Sequence, residues 1–294
     1  MPFVVRKNRV CWAVIALVCT LAISSCGGSN NSALSNSNSM FSSSNDNKAG
    51  AFWAHLSDDF SRPTDVVASR LLSEYGAVFV ARGGAIAPKT VVFKNDAEVA
   101  AFQSSVATTQ ETVGGIAIEL QSPAMKALQD AAAEAVNNGL TITPRGADSA
   151  KRSYDDTVNL WKSRVEPGLT HWIGQVRITE KDADRIRSLS PYQQVPEIFR
   201  LESQGIFFAK DFSKSIIYSV APPGTSQHLL MLALDISEFE NPQVRAVLAR
   251  HGWYQTVVSD LPHFTFLGTE ESGLSALGLK KVESEGRVFW VPHI

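Results

Sequence analysis

The ten-residue stretch SQHLLMLALD, residues 226–235, places a histidine and an aspartate on either side of an apolar run. The apolar residues from Leu229 to Ile236 predict a buried segment. In one straight strand, His228 and Asp235 would point to opposite faces about 23 Å apart, at ~3.3 Å per residue. On one helix they would lie about 10 Å apart. We therefore expect the chain to turn back between them, or the two residues to lie on neighbouring strands, if they share one site.

A second pair of suitable side chains follows downstream, in Asp260-Leu261-Pro262-His263. Catalytic zinc sites take three protein ligands, usually histidine and carboxylate, and leave one position open. A separate carboxylate can then act as a base. His228, Asp235, Asp260 and His263 supply these roles if Pro262 bends the strand. A non-functional interpretation remains, in which His228 caps a buried strand, Asp235 ends it, and Asp260 to His263 is a turn.

The order Ser-x-His-x-x-x-x-Ala-x-Asp, followed by acidic-x-x-His, resembles the zinc D-alanyl-D-alanine carboxypeptidases of the VanY type and their L-alanyl-D-glutamate endopeptidase relatives. The resemblance implies that His228, Asp235 and His263 bind one zinc ion per chain, with Asp260 as general base. It also implies a Hedgehog/DD-peptidase-like zinc peptidase core and peptidoglycan stem peptides as substrate.

An upstream element supports the same resemblance. Lys151-Arg152-Ser153-Tyr154 matches the family's Arg-Ser-Tyr at the start of a helix. The implied role of Arg152 is to stabilise the substrate carbonyl as it becomes an oxyanion, and that of Ser226 is to hold the substrate. The match spans roughly residues 140 to 268.

The sequence departs from the family at two places. Met231 stands where the family usually has glycine, and Asp260 with Pro262 replaces an acidic-x-Trp-His motif, although some endopeptidase relatives also use aspartate. Aspartate is one methylene shorter than glutamate, so the backbone must come closer to the site. These departures leave two alternatives open. One is a catalytically weak or inactive zinc-binding scaffold lipoprotein that binds the cell wall, and the other is a structural lipoprotein without metal.

The N-terminus predicts export. Three basic residues precede the apolar run from Val10 to Ile23, which is too short to span a bilayer comfortably. Ile23-Ser24-Ser25-Cys26 resembles a lipobox, so we predict a lipoprotein signal peptide at 1–25 and lipidation of Cys26. An ordinary signal peptide cut near Ser25, or an uncleaved anchor, are the alternatives. Residues 26–49, rich in Ser and Asn, predict a flexible tether. Gly27 favours the outer membrane in a two-membrane cell, with the protein facing the periplasm.

Charge and cysteine content restrict the class of protein. Without residues 1–25 the chain has 27 − 3 = 24 basic residues against 29 acidic ones, a formal net charge of −5. Such a chain is a poor candidate for binding nucleic acid. Cys11 and Cys19 lie in the predicted signal and Cys26 would carry lipid, so we expect a folded region without disulfides. His55, His171, His251 and His293 have no partner at ligand spacing, and we interpret them as surface or core residues.

Local patterns predict an α+β fold, an antiparallel sheet with flanking helices. We expect one folded unit with an unassigned part at 50–139 and the peptidase-like core at 140–294. Helices are predicted at 64–75, 122–138, 150–165 and 241–251. The second should bury a stripe of Met125, Leu128, Ala132, Ala135 and Val136. The third should point Val158, Leu160, Trp161 and Val165 into the core. Strands are predicted at 77–81, 91–93, 116–120, 140–143, 206–208, 216–220 and 256–267, and a hairpin at 281–291.

Overall fold

Helices and short antiparallel sheets alternate along residues 50–294, which are the residues described by a computed structural model. The predicted signal peptide, Cys26 and the tether lie outside the described residues. Among residues 50–294, no helix has the length and apolar character needed to cross a membrane. The antiparallel pairing of every named strand in this part of the chain confirms the α+β class.

The helices differ in length and cluster in the first two thirds of the described chain. They are α1 Val66–Tyr75, α2 Asp96–Ser105, α3 Ser122–Asn137, α4 Tyr154–Gly174, α5 Glu180–Ser188, α6 Pro191–Glu202, α7 Pro242–Arg250 and α8 Glu271–Leu274. Short 3₁₀ segments are Gly76–Val80, Ala147–Ser149, Ile216–Tyr218 and Gln227–Leu230.

The strands form three small sheets within residues 50–294. Strand β1 (Thr108–Val113) pairs with β2 (Ile116–Gln121), and β6 (Leu279–Ser284) pairs with β7 (Arg287–Pro292). The middle sheet has the order β3-β5-β4, formed by Ala233–Asp235, His263–Phe266 and Trp253–Tyr254. This middle sheet carries two of the predicted site residues.

Capping residues explain where the helices next to the site begin. Ser153 accepts a hydrogen bond from the backbone N–H of Asp156, whose carboxylate accepts in return from the Ser153 N–H. Ser190 and Gln193 form the same reciprocal pair at the start of α6. Each pair satisfies two backbone N–H groups that have no partner within the helix. The Ser153 cap places Arg152 just before the first turn of α4.

Most predicted helices are present, with corrections at their ends. The helices at 64–75, 122–138 and 241–251 are confirmed as α1, α3 and α7. Ser122 is the first residue of α3 and not its cap, because its hydroxyl meets Thr109 Oγ1 at 2.8 Å. Val136 is 68 % exposed, so its assignment to the buried stripe is wrong.

The helix predicted at 150–165 is wrong at both ends. It begins at Tyr154, where Ser153 caps it, and continues to Gly174 with Pro167 inside. Leu160 is 40 % exposed and does not point into the core.

Several predicted strands are wrong. Two of them fall largely in 3₁₀ segments, namely 77–81 and 216–220. Three form no strand, namely 91–93, 140–143 and 206–208. Of the region 256–267, only 263–266 is a strand. Short apolar runs do not distinguish a strand from other buried segments, because a strand also needs a partner. Phe93, for example, packs against the backbone of Gly224 (φ +79°) and donates one N–H to its carbonyl. The strand at 116–120 and the hairpin are confirmed as β2 and β6–β7.

The sequence patterns missed α2, α5, α6 and β1. Helix α5 is mostly charged and buries only Ala183 and Ile186, so it shows little apolar periodicity. Helix α6 contains Pro196, which weakens any helix prediction from sequence. Together α5 and α6 pack beside α4, where Gln194 of α6 accepts a hydrogen bond from Trp161 Nε1 at 3.1 Å. This packing holds the helix that forms one wall of the site.

Candidate metal centre

The chain reverses between His228 and Asp235, as the spacing required. His228 lies in the 3₁₀ segment Gln227–Leu230, which ends at Met231 in a left-handed conformation (φ +54°, ψ 34°). The backbone then enters β3, which ends at Asp235. The turn at Met231 therefore brings the two ends of the apolar run back to one place.

Strand pairing brings in the third residue. Asp235 of β3 lies directly opposite His263 of β5 in the antiparallel register. Side chains at directly paired positions share a face of the sheet and lie about 5 Å apart at Cβ. Pro262 precedes this strand, and its carbonyl accepts the N–H of Ile236. His228, Asp235 and His263 therefore meet at one edge of the middle sheet.

The three inward-facing atoms are nearly equidistant. His228 Nε2 lies 3.1 Å from His263 Nδ1, and Asp235 Oδ1 lies 3.3 Å from each of these nitrogens. A tetrahedral ion with bonds of about 2.0–2.1 Å holds its ligand atoms about 3.3 Å apart. Within the described residues, this is the group of histidine and acidic side chains close enough to hold a metal ion.

The outer nitrogens of both rings determine which nitrogen faces inward. His228 Nδ1 contacts the carbonyl oxygen of Ala150 at 3.2 Å, and a carbonyl can only accept, so Nδ1 carries the proton. His263 Nε2 donates to Gln227 Oε1 at 2.9 Å, and the Gln227 amide is oriented by its own donation to the Tyr75 carbonyl. In the singly protonated form of each ring, the inward nitrogen therefore presents a lone pair beside the Asp235 carboxylate. Three converging lone pairs without a proton repel one another, and a cation resolves that repulsion.

Burial and neighbouring charge favour the ligand-competent protonation states. Burial lowers the pKa of His228, which keeps the ring neutral near pH 7. Burial alone would raise the pKa of Asp235, yet that pKa lies below its usual range, and the 2.8 Å ion pair with Arg152 favours the same ionised form. Neutral imidazole and ionised carboxylate are the forms that bind metals.

Arg152 contacts the centre from the start of α4. Its Nη2 donates to Asp235 Oδ2 at 2.8 Å, and its Nε donates to the Asp148 carbonyl. Asp235 thus directs one oxygen at the histidines and the other at Arg152. Arg152 Nη1 has no hydrogen-bond partner among residues 50–294, and it is free to contact another group.

A cleft of about 250 Å³ opens above the two histidines. The predicted residues Arg152, Ser226 and Asp260 all line it, so the structure brings them together with the metal-ligand group. Asp260 is exposed, and its carboxylate forms no hydrogen bond or salt bridge within the described part of the chain. Its backbone carbonyl accepts the N–H of His263 at 3.2 Å, which places it at the entry to β5.

Met231 does not crowd this cleft. Its side chain is fully buried and is not among the cleft-lining residues. Its backbone is in the left-handed region, which costs an L-residue roughly 1–2 kcal/mol and which glycine adopts freely. The position therefore favours glycine for conformational reasons, and the methionine side chain is buried away from the cleft.

The other histidines lie apart from the centre. His251 contacts Glu134 at 2.8 Å, and His171 stacks on Phe212 with 4.4 Å between ring centroids. His55 Nδ1 contacts Arg82 at 3.0 Å. Each of these has a structural neighbour that accounts for it.

Sequence reasoning missed two polar groups of the site, Gln227 and Arg164. Gln227 lies between Ser226 and His228 in the motif, but an uncharged amide has no spacing signature of its own. Arg164 lines the cleft from α4, two helical turns beyond Thr157. Its spacing of seven residues from Thr157 puts both on the same helical face. This spacing predicts a cleft residue only once it is known which face of the helix lines the cleft.

Comparisons with models of known protein families, with curated proteins and with solved structures find no match to this chain.

Proposed function

We propose that the chain is a zinc-dependent peptidase that acts on peptidoglycan stem peptides. The observation that carries the proposal is the group of three ligand atoms, 3.1–3.3 Å apart, whose two histidines line a cleft that also contains an exposed carboxylate and an arginine. Two imidazoles and one carboxylate form the ligand set of catalytic zinc sites that keep a fourth position open.

The donor set fits zinc better than magnesium or calcium. Mg²⁺ and Ca²⁺ prefer oxygen ligands in sets of six or more, whereas this centre offers two nitrogens and one oxygen. His228, Asp235 and His263 would hold the ion. When bound, zinc acts as a Lewis acid and lowers the pKa of water to about 7.

The residues around the cleft supply the remaining chemistry. The Asp260 carboxylate accepts a proton from the attacking water and returns it to the leaving amine. Arg152, with Nη1 unpaired, donates to the carbonyl oxygen as negative charge develops on it. Its bond to Asp235 holds the guanidinium beside the metal ligands. Ser226, on the cleft wall, binds the peptide backbone.

The N-terminal sequence supports a proposal for where the protein is located in the cell. A lipid on Cys26 and the tether at 26–49 would hold the folded region at a membrane surface of the cell envelope, facing the periplasm. Peptidoglycan would then lie within reach of the cleft. We do not propose that the protein binds nucleic acid.

The test is digestion of stem peptides by the full-length protein with its zinc content measured in parallel. We expect one zinc per chain and a mass change that identifies the bond cut. His228→Ala should lose both zinc and hydrolysis. Zinc-free protein that still cleaves, or zinc-loaded wild type that leaves every stem peptide intact, would refute the proposal.

One observation favours a second candidate, a scaffold that binds zinc and cell-wall peptide without turnover. Arg152 Nη2 and Nε are already occupied by Asp235 and Asp148, which leaves only part of the guanidinium for an oxyanion. This candidate predicts one zinc per chain and peptide binding with no product. The same digestion experiment separates it from the peptidase.

A further inference from the structure

Arg164 brings a positive charge into the cleft and forms no salt bridge with an acidic residue of the described part of the chain. Its Nε donates to Ser219 Oγ at 2.7 Å and its Nη1 to Ser163 Oγ at 2.9 Å, and both acceptors are neutral. No carboxylate of residues 50–294 lies within salt-bridge distance of it, and its Nη2 has no hydrogen-bond partner among them. Its Nη1 also donates to the Ser163 carbonyl at 3.4 Å, so Nη2 is the nitrogen left to donate. A guanidinium that is held in place and half-buried, with Nη2 open, is suited to binding a carboxylate through a charge-assisted hydrogen bond.

The distance of Arg164 from the metal centre follows from the helix. Arg164 lies eleven residues after the Ser153 cap, which is about 16 Å along the axis at 1.5 Å per residue. Long side chains on helices lean toward the N-terminus, which brings the guanidinium back toward the centre. The separation between Arg164 and Arg152 at the ligand group is therefore roughly 10–15 Å, the length of three to four extended residues.

The cleft that Arg152 and Arg164 both line also has apolar side chains in its lining. Thr157, Leu160 and Arg164 lie on one face of α4 at spacings of three and four. Leu160 is 40 % exposed, and Val220 also lines the cleft. Exposed apolar side chains in a cleft suit the aliphatic part of an extended peptide.

We infer that Arg164 binds a free carboxylate of the substrate that lies roughly 10–15 Å from the scissile carbonyl, so that the cleft selects acidic peptides. The inference rests on the proposed peptidase function. A stem pentapeptide, L-Ala-γ-D-Glu-L-Lys-D-Ala-D-Ala, has such a group in the α-carboxylate of its D-Glu residue. Measured from the penultimate D-Ala carbonyl, two residues and the γ-linked chain cover this span.

The experiment compares this peptide with a second one in which only that α-carboxylate is a carboxamide. Binding of both is measured by calorimetry to the full-length zinc-loaded protein carrying Asp260→Asn, which prevents turnover. Release of D-Ala by the protein with Asp260 intact is measured by mass. We expect the acid to bind about 10–100-fold more tightly than the amide, as for a charge-assisted hydrogen-bonded pair. Arg164→Gln should remove this ratio, and Arg164→Lys should keep part of it.

The matched control is Lys162→Gln. Lys162 is an exposed residue of the same helix that lines no part of the cleft, so this variant loses the same charge and should keep the ratio. Equal affinities for the two peptides, no measurable binding of either, or a ratio that survives Arg164→Gln would overturn the inference. If the ratio depends on Arg164 but no D-Ala is released, the carboxylate site stands and the peptidase proposal fails. If both peptides are cleaved with equal kcat/KM and Arg164→Gln changes nothing, the peptidase stands and the carboxylate site fails.

Discussion

Gln227 controls the direction in which His263 presents its lone pair. Its Oε1 accepts from His263 Nε2 and from the hydroxyl of Thr265, while its Nε2 donates to the Tyr75 carbonyl. With all its polar atoms engaged in a buried network, the amide has one orientation. The ring of His263 is therefore held with Nδ1 toward the metal position.

Replacing Gln227 by Leu should weaken zinc binding without removing a ligand. Outer hydrogen-bond partners of metal-bound histidines typically contribute 10–100-fold in affinity. We expect Gln227→Leu to weaken zinc binding by that factor, because the acceptor for His263 Nε2 is lost. The measurement is zinc competition with a chromogenic chelator. If Gln227→Leu binds zinc as tightly as wild type, Gln227 does not position His263.

Asp260 should matter for turnover and not for the metal. Its carboxylate is exposed and forms no bond that stabilises the described fold, so Asp260→Ala should keep both zinc and melting temperature. Loss of a general base typically lowers kcat by 10²–10⁴-fold. Hydrolysis at matched zinc occupancy tests this, with the exposed Asp58→Ala as control. Activity of Asp260→Ala within about threefold of wild type would assign the base to another group.

At the scale of elements, the cleft is held together by contacts between segments far apart in sequence. Glu202, at the end of α6, accepts the backbone N–H of Ile216 and the hydroxyl of Ser215. These contacts anchor the 3₁₀ segment Ile216–Tyr218, part of which lines the cleft. Glu202 is only 6 % exposed, and burial raises its pKa.

This raised pKa predicts a pH-dependent stability. A carboxyl group whose folded pKa exceeds the unfolded value of about 4.3 stabilises the fold fully below that value. The contribution is lost as the pH rises through the folded pKa. Wild type should therefore lose melting temperature relative to Glu202→Gln as the pH rises from about 4.3 through the folded pKa. Glu197→Gln on the same helix is the control, because Arg185 lowers the pKa of Glu197 and the sign should reverse. If the difference in melting temperature between wild type and Glu202→Gln does not change with pH, Glu202 does not cause the pH dependence of stability.

At the scale of the whole molecule, the metal centre connects three separate segments. His228 comes from a 3₁₀ segment, Asp235 from β3 and His263 from β5. The part before residue 140 contributes as well, since Tyr75 orients Gln227 and the side-chain amide of Gln121 donates to the Leu230 carbonyl. Metal binding should therefore stabilise the fold as a unit.

Removing zinc should lower the melting temperature. Free zinc at 100 times its Kd stabilises the folded state by about 2.7 kcal/mol. For a domain of this size each kcal/mol corresponds to about 2–4 °C, so a chelator should lower the midpoint by about 5–10 °C. Scanning calorimetry with and without chelator measures the shift, and His263→Ala should show none. If the chelator does not change the midpoint temperature of the wild type, the proposal that the metal binds only the folded state is refuted.

The predicted lipid anchor has its own test. Cys26→Ser should leave the protein soluble or unprocessed, because the acylated side chain is absent, whereas wild type should partition into membranes. Fractionation of cells expressing each form measures the distribution, with Cys19→Ser as the control within the predicted signal. Identical partitioning of wild type and Cys26→Ser would contradict lipidation at this residue.

The sequence by itself determined the features that depend on neighbouring residues. Asn241-Pro242 and the turn at Glu285-Gly286 specify α7 and the hairpin β6–β7 through local capping and turn chemistry. The spacing of His228, Asp235 and His263, together with family resemblance, placed these residues in one candidate site, and the fold brings them together.

Only the tertiary structure decided features that depend on distant partners. The apolar runs at 77–81 and 216–220 form 3₁₀ segments, because burial can be satisfied without a strand partner and a local pattern does not show whether a partner exists. The direction of the histidine lone pairs depends on the Ala150 carbonyl and on Gln227, and the position of Arg164 depends on how α4 packs. These interactions join residues tens of positions apart, and no local periodicity encodes them.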